Sequence, residues 1–258
     1  MTPTDPRPSD PRLPGGEARG DPRPAGGRPG AAHGEPQPAE GKPSASRGAP
    51  RPARRGSGPA REAVVADPDL LSGRLFFAVP VPSPIKARLE ALLPEISRSI
   101  PAARIAAATG WHLTLAFLGQ VRPESAADVV KVGETAVAGL SPARLRLEGA
   151  GGFPNARRAR VLWAGVAGDV DVLASLAATL AAECRRVGLR FEERELHPHL
   201  TLARLQRPAP LPAPMIERIA GAATASPPWQ ARELCCYRST LTRGGARYQV
   251  VRTFPLAG

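Results

Sequence analysis

Histidine, cysteine and aromatic residues are all scarce in this chain. Its 258 residues include four histidines, three cysteines and eleven Phe, Trp or Tyr. The cysteines are Cys184, Cys235 and Cys236. An odd number with one adjacent pair makes no disulfide framework, and no C-x-x-C spacing offers a metal site. A reducing compartment, the cytoplasm, is the expected setting. The first residues carry no apolar run of the kind a signal peptide needs. No stretch approaches the ~20 apolar residues required to cross a bilayer, so no membrane partner is expected.

The shortage is most acute at the start. Up to Glu62 there is no Phe, Trp or Tyr and one leucine, Leu13; the rest is mainly Pro, Gly, Ala, Arg, Ser and acidic residues. Such a segment buries too little apolar surface to offset its chain entropy. The expectation is a disordered arm over residues 1–72, loosely repeating Asp-Pro-Arg. Residues 73–258 are rich in Leu, Ala and Val and long enough for a sizeable core.

The net charge is +12. The arm to Glu62 holds 11 Lys/Arg against 7 Asp/Glu, and the remainder 24 against 16. Most of the positive balance therefore belongs to the folded part. A basic surface favours anionic partners, of which nucleic acid is the commonest. An Arg- and Ala-rich composition is also compatible with codon usage alone.

Hydropathy patterning orders the folded part. A strand is predicted at 74–79, then a helix from a Ser83 cap and Pro84, with Ile85, Leu89, Leu92 and Leu93 as its stripe and a restart at Pro94. Trp111 to Leu118 reads as a strand closed by Gly119. Pro123 to about Leu140 reads as a helix facing inward through Ala127, Val130 and Val137. A half-buried strand holds Leu145 and Leu147. A strand at 160–166 and a helix capped by Asp169 follow, the helix running through Leu173, Leu176, Leu180 and Cys184 and stopping before Gly188. A short helix at 212–222 and a closing hairpin around Gly244-Gly245 end the chain.

Against this background two of the four histidines occur in one repeated frame. Trp111 is followed by His112-Leu113-Thr114-Leu115, and Pro198 by His199-Leu200-Thr201-Leu202. On a strand, side chains alternate between faces. His112 and Thr114 then share one face, His199 and Thr201 another, with the leucines beneath. Phe77 to His112 is 35 residues and Trp163 to His199 is 36, each interval holding one helical region. One strand-helix-strand unit used twice would bring both frames to one cleft. The fold class read from this is α+β, with antiparallel sheets and helices on their outer faces.

Two imidazoles across a cleft suit concerted acid–base catalysis, one taking a proton and one giving it. The threonine hydroxyls are placed to donate to phosphoryl oxygens as charge builds there. No serine or cysteine nucleophile stands in either frame, and no paired carboxylates. The competing chemistry is zinc, with His197 as a third ligand sharing the His199 face; no His-x-x-x-His or acidic cluster accompanies it. The bland reading of Trp111, Tyr237 and Tyr248 is packing; the functional one is stacking on a base. His33 lies in the arm.

These stretches resemble the 2H phosphoesterase superfamily, defined by two His-x-Thr-x motifs, and within it the RNA 2′,3′-cyclic phosphodiesterases of the 2′-5′ RNA ligase (LigT-like) type. The matching residues are Arg74 to Val79, His112 to Gly119, Pro198 to Arg204, and Tyr237-Arg238-Ser239 with Gly244 to Tyr248. The resemblance implies a bilobal fold with pseudo-twofold symmetry and a central cleft. It implies that His112 donates a proton, His199 accepts one, and Thr114 and Thr201 contact phosphate, without metal or other cofactor. Relatives often carry an aromatic three residues before the second motif histidine, where this chain has Leu196. Arg204 matches an arginine of the pattern, with a phosphate contact and a surface ion pair as alternative roles.

The activity so implied is hydrolysis of the 2′,3′-cyclic phosphodiester at RNA ends to a 2′-phosphomonoester, with 2′-5′ ligation of tRNA-like fragments as the near-reverse reaction. The expected enzyme is a monomer. The alternatives are a 2H phosphodiesterase acting on small cyclic nucleotides or 2′-5′ oligoadenylates, and a module that holds RNA ends without turnover.

Overall fold

The computed structural model describes residues 67–242 and 245–257. Of the arm predicted over residues 1–72, residues 1–66, with His33, lie outside the described residues. Residues 67–72 form a turn that buries Leu71, and Arg238 donates to the Asp69 carbonyl at 3.0 Å.

Two antiparallel sheets carry the fold. The first is ordered β3-β1-β8-β9, from β1 (Gly73–Pro80), β3 (His112–Val121), β8 (Glu233–Thr242) and β9 (Gly245–Pro255). The second is ordered β2-β6-β5-β4-β7, from β2 (Ala103–Ile105), β4 (Ala143–Phe153), β5 (Ala159–Gly168), β6 (His199–Ala209) and β7 (Trp229–Ala231). In each sheet a motif strand pairs with the strand that opened its unit: β3 with β1, and β6 with β5. A long strand then covers the other side of that partner, β8 beside β1 and β4 beside β5. The duplication expected from the sequence is thus present as two sheets with matching strand order.

The central strand β1 shows how one apolar run serves two faces. Leu75, Phe77 and Val79 belong to the main core, while Phe76 and Ala78 join Cys235, Tyr237 and Phe117 in a smaller cluster on the opposite face. Cys235 and Cys236 are divided between these clusters for the same reason.

The helices are α1 (Ser83–Glu90), α2 (Leu93–Ser99), α3 (Ala126–Val137), α4 (Val170–Arg186) and α5 (Ala213–Thr224). α3 and α4 pack together against β9 and β3, and α5 lies on β4 with α1 beside it. α4 follows its sequence pattern: Leu173, Leu176, Leu180 and Cys184 are all fully buried, and Gly188 just beyond it has φ +71°. No helix among the described residues is long and apolar enough to cross a membrane.

Several expectations are corrected. Ser83 is not a cap; Pro82 occupies that position and no side chain caps α1, although Pro84 does sit in its first turn. Asp169 stands at the start of α4, but its carboxylate accepts the Arg144 backbone N–H at 2.8 Å instead of capping the helix. α3 begins only after a 3-10 turn at Pro123–Ser125, and its buried face is Ala126, Val129, Val132, Gly133 and Ala136, with Ala127 exposed. Phe254 of β9 packs against Gly133 on that face. Gly119 does not end its strand; it lies inside β3 with φ +69°. The edge strands β2 and β7 have three residues each, too few for an alternation signal.

Candidate active site

The two motif strands face one cleft of about 830 Å³, and β3 and β6 touch across it. His112, Thr114, His199 and Thr201 all line it. Leu113 and Leu200 point the other way and are buried. The alternation read from the frames therefore holds, and the fold brings both copies to one site. The exact pairing differs from the spacing estimate. Thr114 stands opposite Ala78 on β1 and Thr201 opposite Trp163 on β5, so Trp163 corresponds to Ala78, and Phe77 corresponds to Leu162.

Each motif strand then carries the same irregularity. Between Thr114 and Ala116 the register slips by one, leaving Leu115 extra; between Thr201 and Ala203 it slips by one, leaving Leu202 extra. A bulge of this kind shifts the phase of the residues after it. Phe117 and Arg204, five positions beyond their histidines, are thereby turned back into the cleft. Simple alternation puts both on the buried side. Among the described residues no carboxylate pairs with Arg204. Arg104 stands directly opposite it on β2.

The imidazoles are held by main chain. Nδ1 of His199 lies 2.6 Å from the His197 carbonyl oxygen. A carbonyl only accepts, so Nδ1 carries the proton and Nε2 of the neutral ring keeps its lone pair. The His112 ring is hydrogen-bonded in the same way to the backbone of Gly110, also two residues earlier. Around it are the rings of Phe76 at 4.7 Å, Tyr237 at 5.4 Å, and Tyr248 edge-on at 4.9 Å between centroids. Among the described residues His199 meets one ring, that of Phe153, edge-on at 4.9 Å.

Burial pushes His112 down to about 4, with the charges of Lys86, Arg204 and His199 acting in the same direction and the Gly110 bond opposing them. Burial also lowers His199, helped by Arg204 and His197 and opposed by the His197 carbonyl. Both rings are therefore neutral in the free cleft at pH 7, and an arriving anion favours protonation of either.

The remaining candidates are distributed as follows. His197 lines the cleft but is exposed, its Nε2 3.6 Å from Glu195. Among the described residues no group of three His, Cys, Asp or Glu stands close enough to hold a metal. Trp111 is a core residue whose Nε1–H donates to the Ala106 carbonyl at 3.0 Å. Tyr237 lies flat against Phe76. Tyr248 is 39% exposed on the cleft wall. Cys184, Cys235 and Cys236 are free and buried, with thiols pushed up to about 11, about 11 and about 12 by burial.

Sequence reasoning missed Arg74, which lines the cleft and lies over the Phe117 ring at 5.4 Å, and Phe153, which supports His199. It also missed the irregular segment before β6, which brings Glu192, Arg194 and Glu195 to the cleft edge. Arg185 holds that segment through Glu193 at 2.7 Å and lies over the Phe191 ring at 5.0 Å. No repeated pattern marked these residues, because they come from loops and partner strands.

Two matched antiparallel sheets that present paired His-x-Thr motifs to one cleft define a 2H phosphoesterase. The chain belongs to the 2′-5′ RNA ligase superfamily, whose profile matches residues 81–243. A protein of Escherichia coli K12 named RNA 2′,3′-cyclic phosphodiesterase is 31% identical over 194 residues, covering 71% of this chain and 96% of that relative. One of the same name from Geobacillus stearothermophilus is 29% identical over 184 residues, covering 71% of this chain; the chain spans 57% of that relative's length. Among solved structures, E. coli LigT complexed with 3′-AMP matches with a TM-score of 0.56 at 27% identity, covering 72% of this chain and 99% of that one.

Proposed function

We propose that residues 73–258 form a phosphodiesterase domain that opens 2′,3′-cyclic phosphates at RNA ends to leave a 2′-phosphate. The observation that carries this reading is the delivery of both His-Leu-Thr-Leu frames to one cleft, in a chain whose relatives bear that activity in their names. The basic balance of the domain and Arg204 on the cleft wall suit a polyanion.

In the proposed reaction a water molecule gives its proton to Nε2 of His199 and its oxygen attacks phosphorus. The bond from phosphorus to the 3′-oxygen breaks in line, and His112 gives its proton to that oxygen. Thr114, Thr201 and Arg204 hold the non-bridging oxygens, where charge accumulates. Because burial keeps His112 neutral in the free cleft, it acquires its proton as the phosphodiester anion binds. The chemistry uses two proton transfers and no metal. Ligation through a 2′-5′ linkage would run the same transfers in reverse. The proposed setting is the cytoplasm, in keeping with three free thiols.

The test is incubation of the full chain with an RNA oligonucleotide ending in a 2′,3′-cyclic phosphate, in excess chelator, with the product identified by chromatography against both isomers. A 2′-phosphate is expected. No turnover, loss of turnover in chelator, or a 3′-phosphate would overturn the reading.

A further inference from the structure

The two motif strands are the same for five residues and then part. His112-Leu113-Thr114-Leu115-Ala116 ends in Phe117; His199-Leu200-Thr201-Leu202-Ala203 ends in Arg204. The bulge common to both strands turns this sixth residue into the cleft in each lobe. Opposite Phe117 stands Phe76 on β1, with ring centroids 6.3 Å apart; opposite Arg204 stand Val161 on β5 and Arg104 on β2. At these two positions, which the duplicated fold makes equivalent, one lobe thus presents an aromatic ring and the other a guanidinium.

That difference matters because of symmetry. A site with two equivalent lobes accepts a cyclic phosphate in two orientations related by its pseudo-twofold axis. In one, the 3′-oxygen faces the first histidine and water the second; in the other the histidines exchange tasks. Both orientations cut the same bond. Only a feature that differs between the lobes selects one of them. The frames themselves are identical, so they cannot.

Resting on the hydrolytic reading above, we propose that Phe117 and Arg204 are positioning residues that fix the direction in which the cyclic phosphate lies across the cleft, and so decide which histidine is donor and which acceptor. The Arg204 guanidinium draws the non-bridging oxygens to its own lobe through charge-assisted hydrogen bonds. Phe117, backed by the buried Phe76 ring, takes the ribose side of the substrate. Under this arrangement the 3′-oxygen leaves toward His112, and water approaches from the side of His199.

The experiment separates the two roles by the leaving group. A cyclic substrate with sulfur in place of the 3′-oxygen expels a thiolate, which needs no proton. Loss of the donor histidine is then tolerated, and loss of the acceptor is not. In the native background, His112→Ala is expected to lose about 10²–10⁴-fold on the oxygen substrate and to regain most of it on the sulfur substrate. His199→Ala is expected to stay impaired on both. In the Phe117→Arg/Arg204→Phe background the pattern should transpose, with His199→Ala becoming the rescued variant.

An exchanged protein that turns over but still rescues only His112→Ala overturns the proposal. Should circular dichroism show that the exchanged chain does not fold, Phe117→Leu/Arg204→Gln removes the difference without reversing it. The two histidine variants should then be rescued to within a few-fold of each other, and an undiminished gap between them overturns the proposal. Failure of the native chain to open either substrate would instead remove the hydrolytic reading on which the proposal rests.

Discussion

The Nδ1 atom of His199 is 2.6 Å from the carbonyl oxygen of His197, two residues earlier in the chain. This contact fixes the tautomer. The neutral ring carries its proton on Nδ1 and turns a lone pair on Nε2 to the cleft, as a proton acceptor requires. Nitrogen-15 spectra of the free protein at pH 8 should show His199 protonated at Nδ1. His199→Gln retains polar bulk but has no titratable nitrogen, and should lose about 10²–10⁴-fold in single-turnover rate on a cyclic phosphate substrate. A loss below tenfold would remove His199 from the chemistry.

The pH profile follows from the burial of both rings. For kcat/KM the reactive free enzyme holds one proton across the pair, with His112 charged and His199 neutral. That population peaks between the two titrations of the pair. Burial holds His112 at about 4 and lowers His199 as well. The maximum of kcat/KM should therefore fall on the acid side of pH 6.5. In the bound complex the phosphate charge favours the imidazolium, so the kcat profile should move to higher pH than that of kcat/KM. Coincident profiles centred above pH 7 would contradict this account.

The same burial ties folding stability to pH. Above about pH 6.5 His112 is neutral whether folded or unfolded and adds no pH dependence. As pH falls below that, the unfolded chain takes up a proton that the folded ring refuses until about pH 4. The unfolded state then binds more protons, and stability drops through this window. His112→Gln lacks that difference. The melting temperature of the native chain should fall more steeply than that of His112→Gln between pH 7 and pH 4.5, as read by circular dichroism.

How far the sequence reveals this site depends on which residues keep to a period. The paired frames are legible because His112 with Thr114, and His199 with Thr201, obey simple alternation up to the bulges. Arg204 is visible as a residue type but not by direction, since alternation assigns it to the face opposite His199 and only the slip at Leu202 returns it to the cleft. Phe117 is hidden for the same reason by the slip at Leu115. The strand order of each sheet is beyond sequence pattern altogether: nothing local says that β8 lies beside β1, or that Phe153 of β4 meets His199. α4 was readable through its four evenly spaced buried residues, whereas the inward face of α3 depends on a 3-10 turn and on Phe254, more than a hundred residues away.

Two helical glycines provide opposite tests of the packing. Gly133 lies within α3, and a Cβ built there meets the Phe254 ring at 2.4 Å. Alanine is the better helix former by about 1 kcal/mol, but overpacking of a filled core costs about 1–3 kcal/mol. The ring is itself wedged against Phe77 at 6.0 Å between centroids and cannot withdraw freely. Gly133→Ala should therefore lower stability. Gly221 lies within α5, and a Cβ there meets nothing within 4 Å. With no clash to oppose the gain in helix propensity, Gly221→Ala should raise stability by about 0.5–1 kcal/mol. Urea titrations of the two variants check both signs, and a stabilised Gly133→Ala would show that α3 and Phe254 are not in close contact in solution.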